Sequence, residues 1–186
     1  MAKRYRNLYD QIANRDALWR AYHRASRGKR GSSGYLNSRL DAGAMIERLY
    51  HELVTETYEP GEPRRFMVYE PKARVIDALP FRDRIVQHAL HAVIEPIFDR
   101  VFLPNSFACR KGKGTHKGVM SVQSTLRREE KSGPVWVLKT DFSKYFHSVP
   151  GWAIQKEIRR KISCRKTLRL IGLYHPPNET GIRIGW

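Results

Sequence analysis

Apolar residues return at helical spacing along much of the chain, and Gly, Pro and Ser punctuate it. Over residues 5–25, Leu8, Ile12, Leu18 and Tyr22 form a weak stripe among Arg, Asn and Gln, which predicts a helix. Residues 26–34 then hold three glycines, three serines and three cations, the composition of a mobile basic linker. Asp41 is placed to cap a second helix, in which Met45/Ile46, Leu49/Tyr50 and Leu53/Val54 recur every four residues. Pro60, Gly61 and Pro63 stop that helix. Two short strand patterns follow at 65–69 and 74–79, joined by a turn at 70–73, and they read as a hairpin with Lys72 and Arg74 near its tip.

Ile85/Val86, Ala89/Leu90 and Val93/Ile94 predict another amphipathic helix, which Pro96 should end or kink. Thr115 can cap a helix carrying Val119, Val122 and Leu126. The run Val135-Trp136-Val137-Leu138 then leads through Lys139 and Thr140 to Asp141, the pattern of a buried strand that delivers a carboxylate at its end. Trp152, Ile154, Ile158 and Ile162 predict a helix from near Pro150. Residues 174–186 are turn-rich, and a chain stopping there looks interrupted.

Charge narrows the partner. Lys and Arg number 35 against 18 acids, a formal charge of +17 with a pI near 10.3, far beyond what solubility alone asks of a small domain. The cations are spread through apolar and aromatic sequence, so nucleic acid is favoured over a membrane surface. Should about six of them touch phosphates, affinity falls on the order of a thousandfold between low and moderate salt. A basic binder without chemistry satisfies the charge equally well. No apolar run approaches a membrane span, and Cys109 and Cys164 lack zinc spacing, which points to a reduced cytoplasmic protein.

Candidate chemistry is sparse. An isolated strand-end aspartate is most often a turn cap, and the alternative for Asp141 is a divalent-metal ligand. His88 and His91 are three apart on a helix, but no third ligand follows. The loop 105–115 is basic and Gly-rich without being a Walker A loop, because Gly114 follows Lys113 where that motif needs Ser or Thr after a Gly-Lys pair. Its Arg110, Lys111 and Lys113 suit a nucleic-acid backbone. Arg82 and Arg84 either contact a template backbone or belong to an ion pair with Asp83 that fixes the strand-to-helix corner.

Several stretches, in order, resemble reverse transcriptases of the bacterial group II intron-like type, including those of diversity-generating retroelements. They are Thr57-Tyr58-Glu59-Pro60-Gly61, residues 65–74, Leu79-Pro80-Phe81-Arg82-Asp83-Arg84 with Ile85-Val86-Gln87-His88, Glu95-Pro96-Ile97-Phe98, residues 106–116, and Lys139-Thr140-Asp141-Phe142-Ser143-Lys144-Tyr145-Phe146. The resemblance implies an α+β fold, the fingers and partial palm of a right-hand polymerase with a small antiparallel sheet. It divides the chain into an N-terminal helix and linker at 1–40, a fingers-like region at 41–134 and the start of a palm at 135–186. It implies RNA-directed DNA polymerase activity with two Mg2+ ions, an RNA template and primer, deoxynucleoside triphosphates and an accessory protein of a retroelement. Asp141 would be a catalytic metal ligand beside the Phe142 carbonyl, Phe146 the gate against a ribose 2′-hydroxyl, and Lys72 and Arg74 the holders of the triphosphate.

Chemistry supports these roles and also limits them. A Lys and an Arg on a hairpin tip neutralise a triphosphate, and an aromatic wall leaves a 2′-hydroxyl unpaired. Lys72 and Arg74 also suit ordinary exposed turn cations, and Phe146 an ordinary core position. A two-ion site needs more than one carboxylate, and after Asp141 the only acids are Glu157 and Glu179. Glu157 is better placed to pair with Arg159, Arg160 or Lys161, and no Tyr-x-Asp-Asp turn follows. The expectation is therefore an incomplete polymerase, inactive alone. The alternative is a nucleic-acid-binding module derived from one.

Overall fold

The computed structural model describes residues 4–69 and 72–182. The turn residues Glu70 and Pro71 and the terminal stretch 183–186 lie outside the described residues. The chain is α+β, mostly helical with one two-stranded antiparallel sheet, and forms two compact units: residues 1–95 with 144–186, and residues 96–143.

In the first unit the 5–25 stripe makes two helices where the sequence predicts one, α1 (Tyr9–Ile12) and α2 (Arg15–Ala25). Asn14 is the reason. It takes an extended conformation and its side chain accepts the Ala17 N–H at 3.1 Å, which restarts the helix as an N-cap. The expected mobile linker is shorter than its composition suggests. Ser32 caps a helix, α3 (Ser33–Leu40), and anchors to Lys29 through its hydroxyl at 2.7 Å, so only a set of turns remains before it. Asp41 does precede α4 (Ala42–Val54), but its carboxylate pairs with Arg48 at 3.3 Å and makes no cap bond.

Strands β1 (Arg64–Val68) and β2 (Arg74–Ala78) form the expected hairpin, with Val68 opposite Arg74 and Arg64 opposite Ala78. Helix α5 (Phe81–Asp99) continues through Pro96, one missing N–H being tolerable when less than a turn follows. After α7 (Tyr145–Ser148) and α8 (Gly151–Lys161) comes α9 (Arg165–Tyr174), which no expectation covered. Its buried Thr167, Leu170, Ile171 and Tyr174 fall at i, i+3, i+4 and i+7, a full apolar face.

That face completes the core. Leu170, Ile171 and Tyr174 pack with Ile12 and Leu18, with Ile46, Leu49 and Leu53 of α4, and with Ile85 and Val86 of α5. The strap around Tyr5 bridges to Ile162, with Tyr5 N–H on the Lys161 carbonyl at 2.7 Å and Ser163 N–H on the Tyr5 carbonyl at 2.9 Å. Gly151 donates to the Glu179 carbonyl at 2.8 Å, and a Cβ on Gly151 would lie 2.0 Å from the Pro176 oxygen, so only glycine admits this returning loop.

The second unit holds α6 (Thr115–Glu129), a 3-10 turn (Glu130–Ser132) and two irregular segments. Gly114, at φ +108°, takes the cap position assigned above to Thr115, which is the first helical residue. The larger correction concerns residues 135–138. They form no strand; Trp136 is 93% and Leu138 88% exposed. A strand needs a neighbour to receive its ladder, and among the described residues β1 and β2 pair only with each other.

Candidate nucleotide and nucleic-acid site

The hairpin is clamped near its base by a cross-strand ion pair. Arg65 Nε and Nη2 donate to Asp77 Oδ1 and Oδ2 at 2.7 and 3.1 Å, a two-pronged cross-strand pair with the Asp77 side chain almost buried. This pair pins the register, and a slip of one residue would turn every side chain over. Lys72 and Arg74 both lie exposed at the far end, Arg74 as the first residue of β2.

The hairpin's base is anchored by a carboxylate with no solvent contact. Asp83, fully buried, accepts from the Tyr58 hydroxyl at 2.8 Å and from the Gly61 N–H at 3.0 Å. Tyr174 of α9 shares a hydroxyl contact of 2.6 Å with Tyr58 and donates to the Asp83 carbonyl at 3.3 Å. Burial first, then Tyr174 and the Asp83 carboxylate, pushes the Tyr58 hydroxyl far up, and burial does the same to Tyr174. Both phenols stay protonated donors. The expected corner ion pair is present, Arg82 Nε to Asp83 at 3.4 Å, and Arg82 also grips Glu52 with two nitrogens. Arg82 is thus engaged by Asp83 and Glu52 within the protein, whereas Arg84 lines a groove beside α5.

Phe146, on α7, stands edge-on to Tyr145 at 5.6 Å and lines that same groove. Its carbonyl accepts the Ile182 N–H at 2.5 Å, which ties α7 to the returning chain. Glu157 pairs with Arg160 at 2.9 Å, as its neighbours suggest.

The remaining candidates belong to the second unit. Asp141 is exposed, and its Oδ1 accepts the N–H of the next residue, Phe142, at 2.9 Å, one residue short of the reach of an Asx turn. Among the described residues no group of three or more His, Cys, Asp or Glu is arranged to hold a metal. Asp141 with the Phe142 carbonyl suits one hydrated ion supported by phosphates, but this donor set does not fit a two-ion centre.

In the Gly-rich loop Arg110 is an organiser. Its guanidinium meets the Asp99 carboxylate at 2.6 Å, and the Asp99, Leu103 and Ser106 carbonyls at 3.0, 3.0 and 3.2 Å. The Arg110 hydrogen bond holds the Asp99 carboxyl below the usual carboxylate range. Lys113 reaches the Pro104 carbonyl and lies over the Phe107 ring at 5.4 Å, while Lys111 is exposed. The sequence reading missed Tyr58, Asp77 and Tyr174 as members of the anchoring set. The Arg-Asp-Arg corner was its only signal.

Sequence comparison places this chain among named proteins. It is 31% identical over 147 residues to protein YkfC of Escherichia coli, which covers 76% of this chain and 38% of that protein. It is 25% identical over 173 residues to the group II intron-encoded protein LtrA of Lactococcus lactis, covering 90% of this chain and 28% of that protein. A third match is the nuclear intron maturase 2 of Arabidopsis thaliana mitochondria, 33% identical over 92 residues and covering 50% of this chain and 12% of that protein. Its relatives include group II intron-encoded proteins and intron maturases. The chain therefore corresponds to well under half the length of each of these relatives. No family model matches it.

Proposed function

We propose that this chain is a reverse-transcriptase-related polypeptide, equivalent to fingers and the start of a palm, that binds RNA template and primer and receives a deoxynucleoside triphosphate on the hairpin tip. The observation that supports it most is the pinned hairpin, which holds Lys72 and Arg74 exposed at one end while Asp83 anchors the other. A point charge and a planar fork on a hairpin of fixed register suit a triphosphate. The similarity to intron-encoded proteins supports RNA as the polymer bound.

In this reading Phe146 discriminates at the ribose, Lys111 tracks a backbone phosphate, and Arg110 shapes the loop that carries it. Asp141 contributes one Mg2+ ligand to a centre for which this chain supplies too few carboxylates, so the chain alone does not extend a primer. The test is primer extension on an RNA template with Mg2+ and all four deoxynucleotides. No extended product is expected, and extension abolished by Asp141→Ala would overturn the proposal that the chain is catalytically insufficient.

The second reading, a binder without a nucleotide pocket, is favoured by Asp141 itself, whose carboxylate accepts the neighbouring Phe142 N–H and joins no metal-holding group among the described residues. It predicts template-primer binding that is indifferent to nucleotides.

A further inference from the structure

Where the strap around Tyr5 closes onto α9, a cysteine sits among hydrogen-bond donors. Cys164 is the N-cap residue of α9, in extended conformation, and is partly buried against the core. The strap is fastened beside it by the Ser163 N–H on the Tyr5 carbonyl at 2.9 Å. Around the sulfur lie the Thr167 hydroxyl and the N–H groups of Thr167, Leu8 and Tyr9. All four are donors. The three N–H groups open α9 and α1, where the first amides of a helix have no intrahelical acceptor.

Thr167 adds an independent sign that an acceptor belongs here. Its side chain is fully buried, and its Oγ1 has no hydrogen-bond partner among the described residues. A buried hydroxyl in that state is a standing cost unless something accepts its proton. The neutral Cys164 thiol makes no side-chain cap bond, a thiol being a weak acceptor. A thiolate, or an oxygen carried on that sulfur, is the strong acceptor these donors lack.

Burial pushes the Cys164 thiol up, but the Thr167 hydroxyl and then the N–H groups of Thr167, Leu8 and Tyr9 outweigh it, so the pKa falls below the ordinary thiol value. Net charge has little part in this. Lys166 and Arg169 on α9 pair with Glu56 at 2.9 and 3.4 Å, and Asp10 on α1 is within electrostatic reach of Lys166. The Tyr9 phenol, pushed up to about 12 by burial first, stays neutral. A partly exposed cysteine at a helix start, surrounded by donors, is the setting of a reactive thiol.

We propose that Cys164 is an oxidant-sensitive modification site, at which the thiolate takes an oxygen from a hydroperoxide and the donors of Thr167, Leu8 and Tyr9 hold the sulfenic product. The sulfur attacks one peroxide oxygen. The S–O bond forms as the O–O bond breaks, the sulfur gives up two electrons, and the departing hydroxide or alkoxide takes a proton from water.

The test uses the full 186-residue chain carrying Cys109→Ser, which leaves Cys164 as the one thiol. Burial alone slows a thiol on folding, whereas iodoacetamide at about pH 6.5 should alkylate Cys164 about threefold or more faster in the folded chain than in urea, the larger thiolate fraction outweighing its lower nucleophilicity. Thr167→Val keeps the shape and removes an unpartnered hydroxyl, so it should cut that acceleration about twofold or more without lowering the urea-unfolding midpoint. In the unsubstituted chain, hydrogen peroxide followed by dimedone should label Cys164 ahead of the exposed Cys109, read by peptide mass. Slower alkylation on folding, an unchanged rate in Thr167→Val, or labelling of Cys109 ahead of Cys164 would each overturn the proposal.

Discussion

Alanine at Asp83 would strip the acceptor from Tyr58 and Gly61 and leave Arg82 with a weaker set of partners. With the site fully closed to water, the loss should be about 3 kcal/mol in urea unfolding, while Tyr58→Phe should cost about 1 kcal/mol. If Asp83→Ala unfolds at the same urea concentration as the parent, the anchoring role is wrong. Arg110 makes a different kind of prediction. Because the folded Asp99 pKa is depressed, this contribution is complete above the unfolded carboxylate range and is lost as pH falls through the lower folded value. Proteolytic nicking within residues 99–114 should therefore increase on acidification in the parent, and already at neutral pH in Arg110→Ala. Unchanged cleavage would remove Arg110 from its organising role. The sequence shows Asp83 only as part of an Arg-Asp-Arg corner. Its partners Tyr58 and Tyr174 are 25 and 91 positions away, a distance that no local pattern reports.

At the scale of elements, periodicity served best where one face meets the core. The α4 and α5 stripes correspond to buried Ile46, Leu49, Leu53, Ile85 and Val86, and the hairpin follows its two β-rich runs. Caps proved less legible, because Asn14 and Gly114 divide or start helices by backbone conformation that hydrophobic spacing does not encode. Residues 135–138 fail for a different reason. Their composition suits a strand, but strand formation is a property of a pair, and no partner ladder exists among the described residues. Amide hydrogen exchange should accordingly be fast across 135–140 and slower by several orders of magnitude in α2, α4 and the early turns of α5. Strong protection at 135–140 would show that a partner strand is in place.

For the whole molecule, a charge of +17 with exposed basic side chains gives the surface a positive field, while the buried Asp83 set and the Arg65–Asp77 clamp fix the base and register of the hairpin. Composition made the first of these legible. The second depends on contacts from Tyr58 to Tyr174 and needs the fold. Charge alone predicts a binder, and a register-fixed hairpin carrying Lys72 and Arg74 predicts a binder that senses triphosphate.

The most direct test is the dissociation constant of the chain for an RNA template with an annealed DNA primer, measured at fixed salt with and without the complementary deoxynucleoside triphosphate. The account predicts tightening of about fivefold or more with the complementary nucleotide, lost in Lys72→Ala and Arg74→Ala, with nucleotide-free binding changed only modestly. Equal affinity with and without nucleotide, or tightening that survives both substitutions, would contradict a triphosphate-receiving hairpin.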